Sequence, residues 1–289
     1  MKLSLIVPCY NEEAALPIFY RETTKVMGTL SCEYELLLVN DGSTDGSVEW
    51  LRAHDGGDLT LHVSESNLGF GAANNLGMRH ALDRGYSYVY LLNQDAWVEP
   101  DTFGLMAARM KNGYGILSPM QYDATLQRLD ANFDRKCSRR IAASGSSEVA
   151  DVPFVMAAHW MLSTDCIRRI GGFSPIFHLY GEDDDYLNRA RFHGVRYGVV
   201  KDARAVHDRA ERQMEKDRLM RLKCIGSVVA LANPCRPAAL SVVLEPLRLI
   251  GMSVRRWSMI PLRFTFTLIG RYPEILKNRL SARRGPAFL

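Results

Sequence analysis

Short apolar runs alternate with helix-like segments over the first hundred residues, and this alternation leaves few folds open. Residues 3–7 form an apolar strand, and residues 12–27 read as helix, with Asn11 as N-cap and Glu12 and Glu13 in the first turn. Residues 35–39 make a second apolar run closed by Asn40-Asp41-Gly42, after which Ser43 and Thr44 cap a helix through about Ala53. Leu59–Val63, a helix over residues 71–82 and a strand over residues 87–92 complete the pattern. Strands separated by helices in this order pair in parallel, because a parallel crossover needs a long connection. Ligands bind such sheets beyond the carboxyl ends of the strands. The polar clusters PCYNEE, NDGSTD, NLGFGAANN and NQD follow strands one to four in turn, so they share one rim.

The signals weaken from Gly115 to Phe154, where residues 144–147 read as a mobile loop. Residues 156–166 are apolar again, and Gly171-Gly172 makes a turn. Beyond His207 the character changes. Residues 211–232 read as one helix, and Arg and Pro interrupt an apolar sequence after it. A division follows, with a domain over residues 1–210 and a basic, mainly helical extension over residues 211–289. The extension explains the charge. From Arg218 onward there are thirteen Lys/Arg against two Glu, a net +11 inside a chain whose total is only +4. An acidic body with a basic tail suggests two tasks.

Composition narrows the class further. Hydrophobic and charged fractions of 47% and 24% are ordinary for a soluble globular protein. Six scattered cysteines without a C-x-x-C pair argue against a disulfide framework or a zinc site and suit a reducing cytosol. The N-terminal segment turns acidic too early for a signal peptide, and no uncharged run reaches the roughly 18–20 residues that span a bilayer. Recognisable nucleic-acid modules are absent, so the tail is not read as a nucleic-acid binder. PCYNEE holds no glycine where a dinucleotide fold wants G-x-G-x-x-G, and neither a P-loop nor a nucleophile elbow occurs.

Chemistry is left to three features. Asn93-Gln94-Asp95 is either a loop Asx-turn or an oxygen-rich site for a hard divalent cation held against phosphates. His207, after the apolar residues 203–206, is either packed or a neutral ligand to such a cation. The run Glu182-Asp183-Asp184-Asp185 is either a cap on a helix over residues 186–193, stopped by Gly194, or a working acid. Helical spacing puts Asp183 with Leu187 and Ala190 on an apolar face. It puts Asp184 on a solvent face and Asp185 in a surface ion pair with Arg189. The inward carboxylate, Asp183, is the one to bet on.

IVPCYNEE, LLLVNDGSTDGS, NLGFGAANNLGM, LLNQDAWVEPD and GGFSPIFHLYGEDDDYLNRARFHG, in this order, resemble the family-2 glycosyltransferases. The likeness runs from Leu3 to about His207 and is closest to bacterial rhamnosyltransferase-like members, whose fourth-strand motif reads L-N-P-D-A. It implies an α/β fold of GT-A type: Rossmann-like, mostly parallel, with flanking helices. It also implies an NDP-sugar donor (a dTDP- or UDP-sugar), a divalent Mn or Mg ion, and inversion at the anomeric carbon. Pro8, Tyr10 and Glu12 would line the nucleotide pocket, and Asp41 would bond the base. Asn67, Gly69 and Asn74 would approach the ribose and sugar-phosphate. Asn93 and Asp95 occupy the D-x-D position, with Asp95 and His207 as metal ligands and Asp183 as general base. An acceptor of saccharide or lipid-linked saccharide type follows.

Three departures stand out. Asn93 replaces the first acid of D-x-D, Gln94 stands where relatives carry proline, and Ala157-Ala158-His159 replaces a Gly-Ala pair on the acceptor side. A nucleotidyltransferase would want a glycine- and arginine-rich loop in place of PCYNEE. A non-catalytic nucleotide-sugar-binding protein is disfavoured by Asp95 and Asp183. The expected setting is cytoplasmic. The basic tail is expected either to lie on an anionic membrane at the inner face of the plasma membrane, or to pack on the catalytic domain or on a second subunit in a homodimer.

Overall fold

The computed structural model describes residues 2–57, 59–208 and 215–289. Strands β1 (Lys2–Cys9), β2 (Glu33–Asn40), β3 (Leu59–Val63) and β4 (Tyr88–Leu92) alternate with helices α1 (Leu16–Met27), α2 (Ser47–His54) and α3 (Phe70–Asp83). They pair in parallel in the order β3-β2-β1-β4. Beyond β4 come β5 (Ala96–Val98), α4 (Thr102–Met110), β6 (Tyr114–Tyr122), α5 (Ala131–Ala143) and β7 (Val149–Ala150). Next are β8 (His159–Ser163), α6 (Thr164–Ile170), α7 (Glu182–Phe192) and β9 (Arg196–His207). The sheet continues β4-β8-β6-β9-β5 and becomes mixed there: β8 is antiparallel to both neighbours, β6 and β9 are parallel, and β5 and β7 run against β9.

Both faces of the sheet are covered, as its sequence requires. Leu3, Leu5 and Val7 of β1 face one layer with Leu16 and Phe19 of α1 and Phe103 and Met106 of α4. Ile6 faces the other layer, with Ala73 and Met78 of α3, Ile167 of α6 and Tyr186 of α7. Period-two alternation in a strand buried on both sides reads as a continuous apolar run, and this made β1 and β2 visible in the sequence.

Helix starts differ from the expectation. α1 begins at Leu16, with Ala15 at its N-cap and Pro17 in the first turn. Asn11 instead takes φ +55° and accepts the Thr44 amide at 2.8 Å, while its own amide donates to Ser43 Oγ at 3.0 Å. Ser43 and Thr44 therefore serve the neighbouring strand-end rather than α2, whose N-cap is Gly46. Contacts across the rim outweigh the local capping signal.

Four helices close the described chain: α8 (Lys216–Ala232), α9 (Ala238–Arg256), α10 (Met259–Gly270) and α11 (Tyr272–Arg284). The expected helix over residues 211–232 appears from Lys216, and its first residues and the boundary at 210/211 lie outside the described residues. Cys224, Val228, Leu231, Leu249, Leu268 and Ile275 form a core of their own. Ile176 and Phe177, just ahead of α7, belong to that same core. The extension is thus fastened to the segment that leads into the acidic run.

Candidate active site

The four strand-ends meet along one edge. Pro8 is buried in β1 opposite Val39, and Tyr10 beyond it is 44% exposed, with its ring available to a ligand. Glu12 reaches the fourth strand-end, accepting from Gln94 Nε2 at 2.7 Å. Asp41, at the end of β2, is buried, and its two oxygens accept the Leu68 and Gly69 amides at 2.8 and 2.9 Å. It therefore shapes the loop before α3, and Asn67 Oδ1 reinforces that loop by accepting the Gly69 amide at 3.0 Å. Gly69 has φ +89°, and a Cβ there would lie 2.4 Å from the His178 carbonyl oxygen, so only glycine fits this crossing. Asn74 is fully buried in α3, its Nδ2 donating to Phe70 O at 2.9 Å.

Asn93, Gln94 and Asp95 turn the chain from β4 into β5. Asn93 Oδ1 is shielded from water with no hydrogen-bond partner among the described residues, an acceptor held ready for a donor group. Ala96 pairs with His207 in the β5–β9 ladder, and the Asp208 amide donates to the Asp95 carbonyl at 2.8 Å. This register brings Asp95 Oδ1 to 3.6 Å from His207 Nε2. A carboxylate and an imidazole are a donor set suited to Mn or Mg, and two protein ligands leave most positions to phosphate oxygens. Among the described residues no group of three or more His, Cys, Asp or Glu converges.

His159 supports this corner from beneath. It is fully buried, with Nδ1 3.1 Å from Tyr90 Oη and Nε2 2.9 Å from Val206 O, directly before His207. Burial pushes its pKa down to about 4, so the ring is neutral and bonds both partners at once. Sequence reading placed His159 on the acceptor side; the geometry makes it a prop for the end of β9.

The acidic run sits at the start of α7, behind Gly181 at φ +90°. Its faces differ from the helical-wheel expectation. Glu182 and Asp185 are the buried pair, and Asp183 and Asp184 are half-buried. Asp185 is no surface residue: its Oδ2 accepts from Arg189 Nε at 2.8 Å, with both side chains at or below 1% exposure. Arg189 also donates to Ile170 O at 3.2 Å and Gly172 O at 2.8 Å, and those carbonyls let a guanidinium replace an apolar residue in the core. Asp183 remains at the accessible side of the turn, its Oδ1 accepting the Asp184 amide at 2.8 Å.

Burial, and then the charge of Asp184, push the Asp183 carboxyl up to about 6. Burial and then Asp183 raise Glu182 further, well above the usual carboxylate range. Lys136 of α5 acts the other way on both Asp183 and Asp184, and its ammonium sits 3.5 Å from the centroid of the Phe154 ring. A partly buried carboxylate poised near neutrality is what proton abstraction from a hydroxyl needs. Sequence reading missed Lys136, and it placed the Asp185–Arg189 pair on the surface rather than in the core. The i, i+4 spacing of the latter was visible; its depth was not.

The family description "Glycosyl transferase family 2" matches residues 4–146. An undecaprenyl-phosphate 4-deoxy-4-formamido-L-arabinose transferase of Enterobacter sp. (strain 638) is 31% identical over 147 residues, covering 48% of this chain and 42% of the relative. The match therefore spans about two fifths of that protein's length. The S. aureus TarS fragment 1–349 superposes with a TM-score of 0.58 at 16% identity, covering 98% of this chain and 81% of that one. A mannosyltransferase, PcManGT from Pyrobaculum calidifontis, in complex with GDP-Man and Mn2+, superposes with a TM-score of 0.57 at 17% identity, covering 94% and 86%.

Proposed function

Because the chain belongs to the family-2 glycosyltransferases and has their GT-A fold, we propose that it is an inverting enzyme that moves a sugar from an NDP-sugar to an acceptor hydroxyl. The product would be a cell-surface polysaccharide or glycolipid. One observation carries the reading: the edge that gathers Tyr10, Glu12 and Asn93 also brings Asp95 to 3.6 Å from His207, and a half-buried carboxyl raised to about 6, that of Asp183, stands ready as the base. A nucleotide pocket and a base are the two devices that a single displacement requires.

In this mechanism the strand-ends bind and Asp183 acts. Tyr10 offers its ring to the base, and the loop that Asp41 holds in place presents Asn67 and Gly69 toward the sugar-phosphate. Asp95 and His207 would hold the Mn or Mg ion, which when bound offsets charge developing on the diphosphate leaving group. Asp183 takes the acceptor hydroxyl's proton as that oxygen attacks the anomeric carbon from the face opposite the diphosphate. Burial raises the Glu182 carboxyl further than that of Asp183, so Glu182 holds its proton more tightly than its neighbour. The name of the Enterobacter relative supports a lipid-linked acceptor. An enzyme acting on such an acceptor would work at the cytoplasmic face of the plasma membrane; no described helix is long and apolar enough to cross a membrane.

The metal reading has its own test. Chelation should abolish release of nucleoside diphosphate from an NDP-sugar, and added Mn or Mg should restore it. Asp95→Ala should remain inactive under both conditions. Full activity of that variant in excess chelator contradicts the assignment.

A further inference from the structure

A helix on a globular surface normally buries its apolar stripe and turns polar residues to water. α9 does the reverse. Its buried residues are Ser241, Glu245 and Leu249. Facing outward are Leu240, Val243, Leu244, Leu247, Ile250 and Val254, between 41% and 73% exposed. They recur at spacings of three and four, so they form one continuous stripe along this 19-residue helix. Trp257 follows at 96% exposure, and α10 prolongs the apolar surface with Met259 at 58% and Phe266 at 71%. Single exposed apolar residues are normal, but a continuous row of them marks a contact.

The charges say which contact. Arg255 borders the stripe, Arg256 ends the same helix and Arg263 lies on α10 between Met259 and Phe266; all three are exposed and without an ion pair among the described residues. Arg248 and Arg271, by contrast, are matched to Glu245 and Glu274 at 2.8 Å each. The unmatched Arg255, Arg256 and Arg263 call for a partner that carries negative charge. An anionic lipid surface neutralises them, and the aliphatic stripe and Trp257 suit the boundary between headgroups and acyl chains. Glu245, Arg248, Arg255 and Arg256 keep α9 from being a spanning segment.

We propose that the outward face of α9, continued by Trp257 and α10, docks on an anionic membrane with the helix lying in the plane of the interface. The proposal deepens the reading above, on which it rests for a lipid-linked acceptor, and it goes beyond the bare basicity of the tail by naming the apolar stripe as the inserted element. The extension's core also holds Ile176 and Phe177, so the docking face and the acidic turn belong to one packed unit.

The test uses the full chain with vesicles of phosphatidylcholine alone or mixed with phosphatidylglycerol. The wild type should sediment with the mixed vesicles at low salt. Leu244→Asp/Leu247→Asp should weaken that binding by about tenfold or more, since two apolar contacts become charges at the acyl boundary. Arg255→Gln/Arg256→Gln should remove most of the preference for the anionic lipid, also about tenfold or more. All four positions are exposed, so thermal melts and donor turnover in solution should match the wild type. This separates loss of docking from failure of the catalytic reading. Wild-type indifference to anionic vesicles, or equal binding by the Leu244/Leu247 variant, overturns the proposal. So does a solution dimer that this variant dissociates, which would assign the stripe to a second copy.

Discussion

Replacing Asp185 by Ala is expected to lower stability by about 3–5 kcal/mol, the usual result of leaving a buried charge without its partner. Arg189 is fully buried, and its guanidinium is held by Asp185 and by the carbonyls of Ile170 and Gly172. Neither carbonyl carries a charge, so removing the carboxylate strands a cation in the core. For a chain of this size the loss should appear as a drop of roughly 10 °C in the melting temperature. Burial raises the Asp185 carboxyl more than Arg189 lowers it. A raised carboxyl contributes stability that is fully present below its unfolded pKa and lost as pH rises through the folded one. The pair is therefore a fixture of the fold rather than a gain at neutral pH, and replacing both partners with apolar residues of similar volume should cost far less than the single substitution. A wild-type melting temperature for Asp185→Ala would contradict the buried pair.

Asp183→Asn should behave in the opposite way. The variant keeps the size of the side chain and the helix start but cannot accept a proton, so transfer should fall by on the order of 10²–10⁴. Donor binding, made by the other strand-ends, should persist. The same sign rule applies: with its carboxyl raised to about 6, Asp183 contributes stability below its unfolded pKa and loses it as pH rises through about 6. At pH 7 to 8 the variant should be inactive yet no less stable than the wild type, a combination that a structural role would not produce. The rate of the wild type should rise with pH through about 6 as the base ionises. Asp184→Asn removes a charge that raises Asp183, so its rate profile should move to lower pH; Lys136→Gln removes one that lowers it and should move the profile up. An inactive Asp184→Asn beside a normal Asp183→Asn would reverse the assignment.

Much of the N-terminal half was legible because β1, β2 and β4 are buried on both faces. β1, β2 and β4 read as apolar runs, β3 is a more polar edge strand, and the polar ends of all four could only fall on one edge. Less visible were features decided by distant partners. The apparent N-cap residues Asn11, Ser43 and Thr44 are used across the rim, 32 and 33 residues apart. Asp95 and His207 meet only through the β5–β9 register, which no local pattern encodes. β6 was hidden because its pairing is with β9 and β8. α5 carries a thin inward stripe, Phe133, Cys137 and Ile141, in an otherwise highly charged segment. Helical spacing misread the faces of the acidic run. An arginine four residues after an aspartate looks like a surface pair unless the carbonyls of Ile170 and Gly172 are known to await it. α9 misleads for the opposite reason, since its apolar stripe points outward.

The central claim is that this edge binds and turns over a nucleotide-sugar, and one measurement addresses it directly. Wild-type protein and Asp183→Asn would be titrated with a panel of NDP-sugars in the presence of Mn, following heat of binding and release of nucleoside diphosphate side by side. The account predicts at least one sugar nucleotide that both proteins bind with similar affinity and that only the wild type consumes. If no member of the panel binds either protein, or if Asp183→Asn consumes the bound sugar nucleotide at the wild-type rate, the account is contradicted.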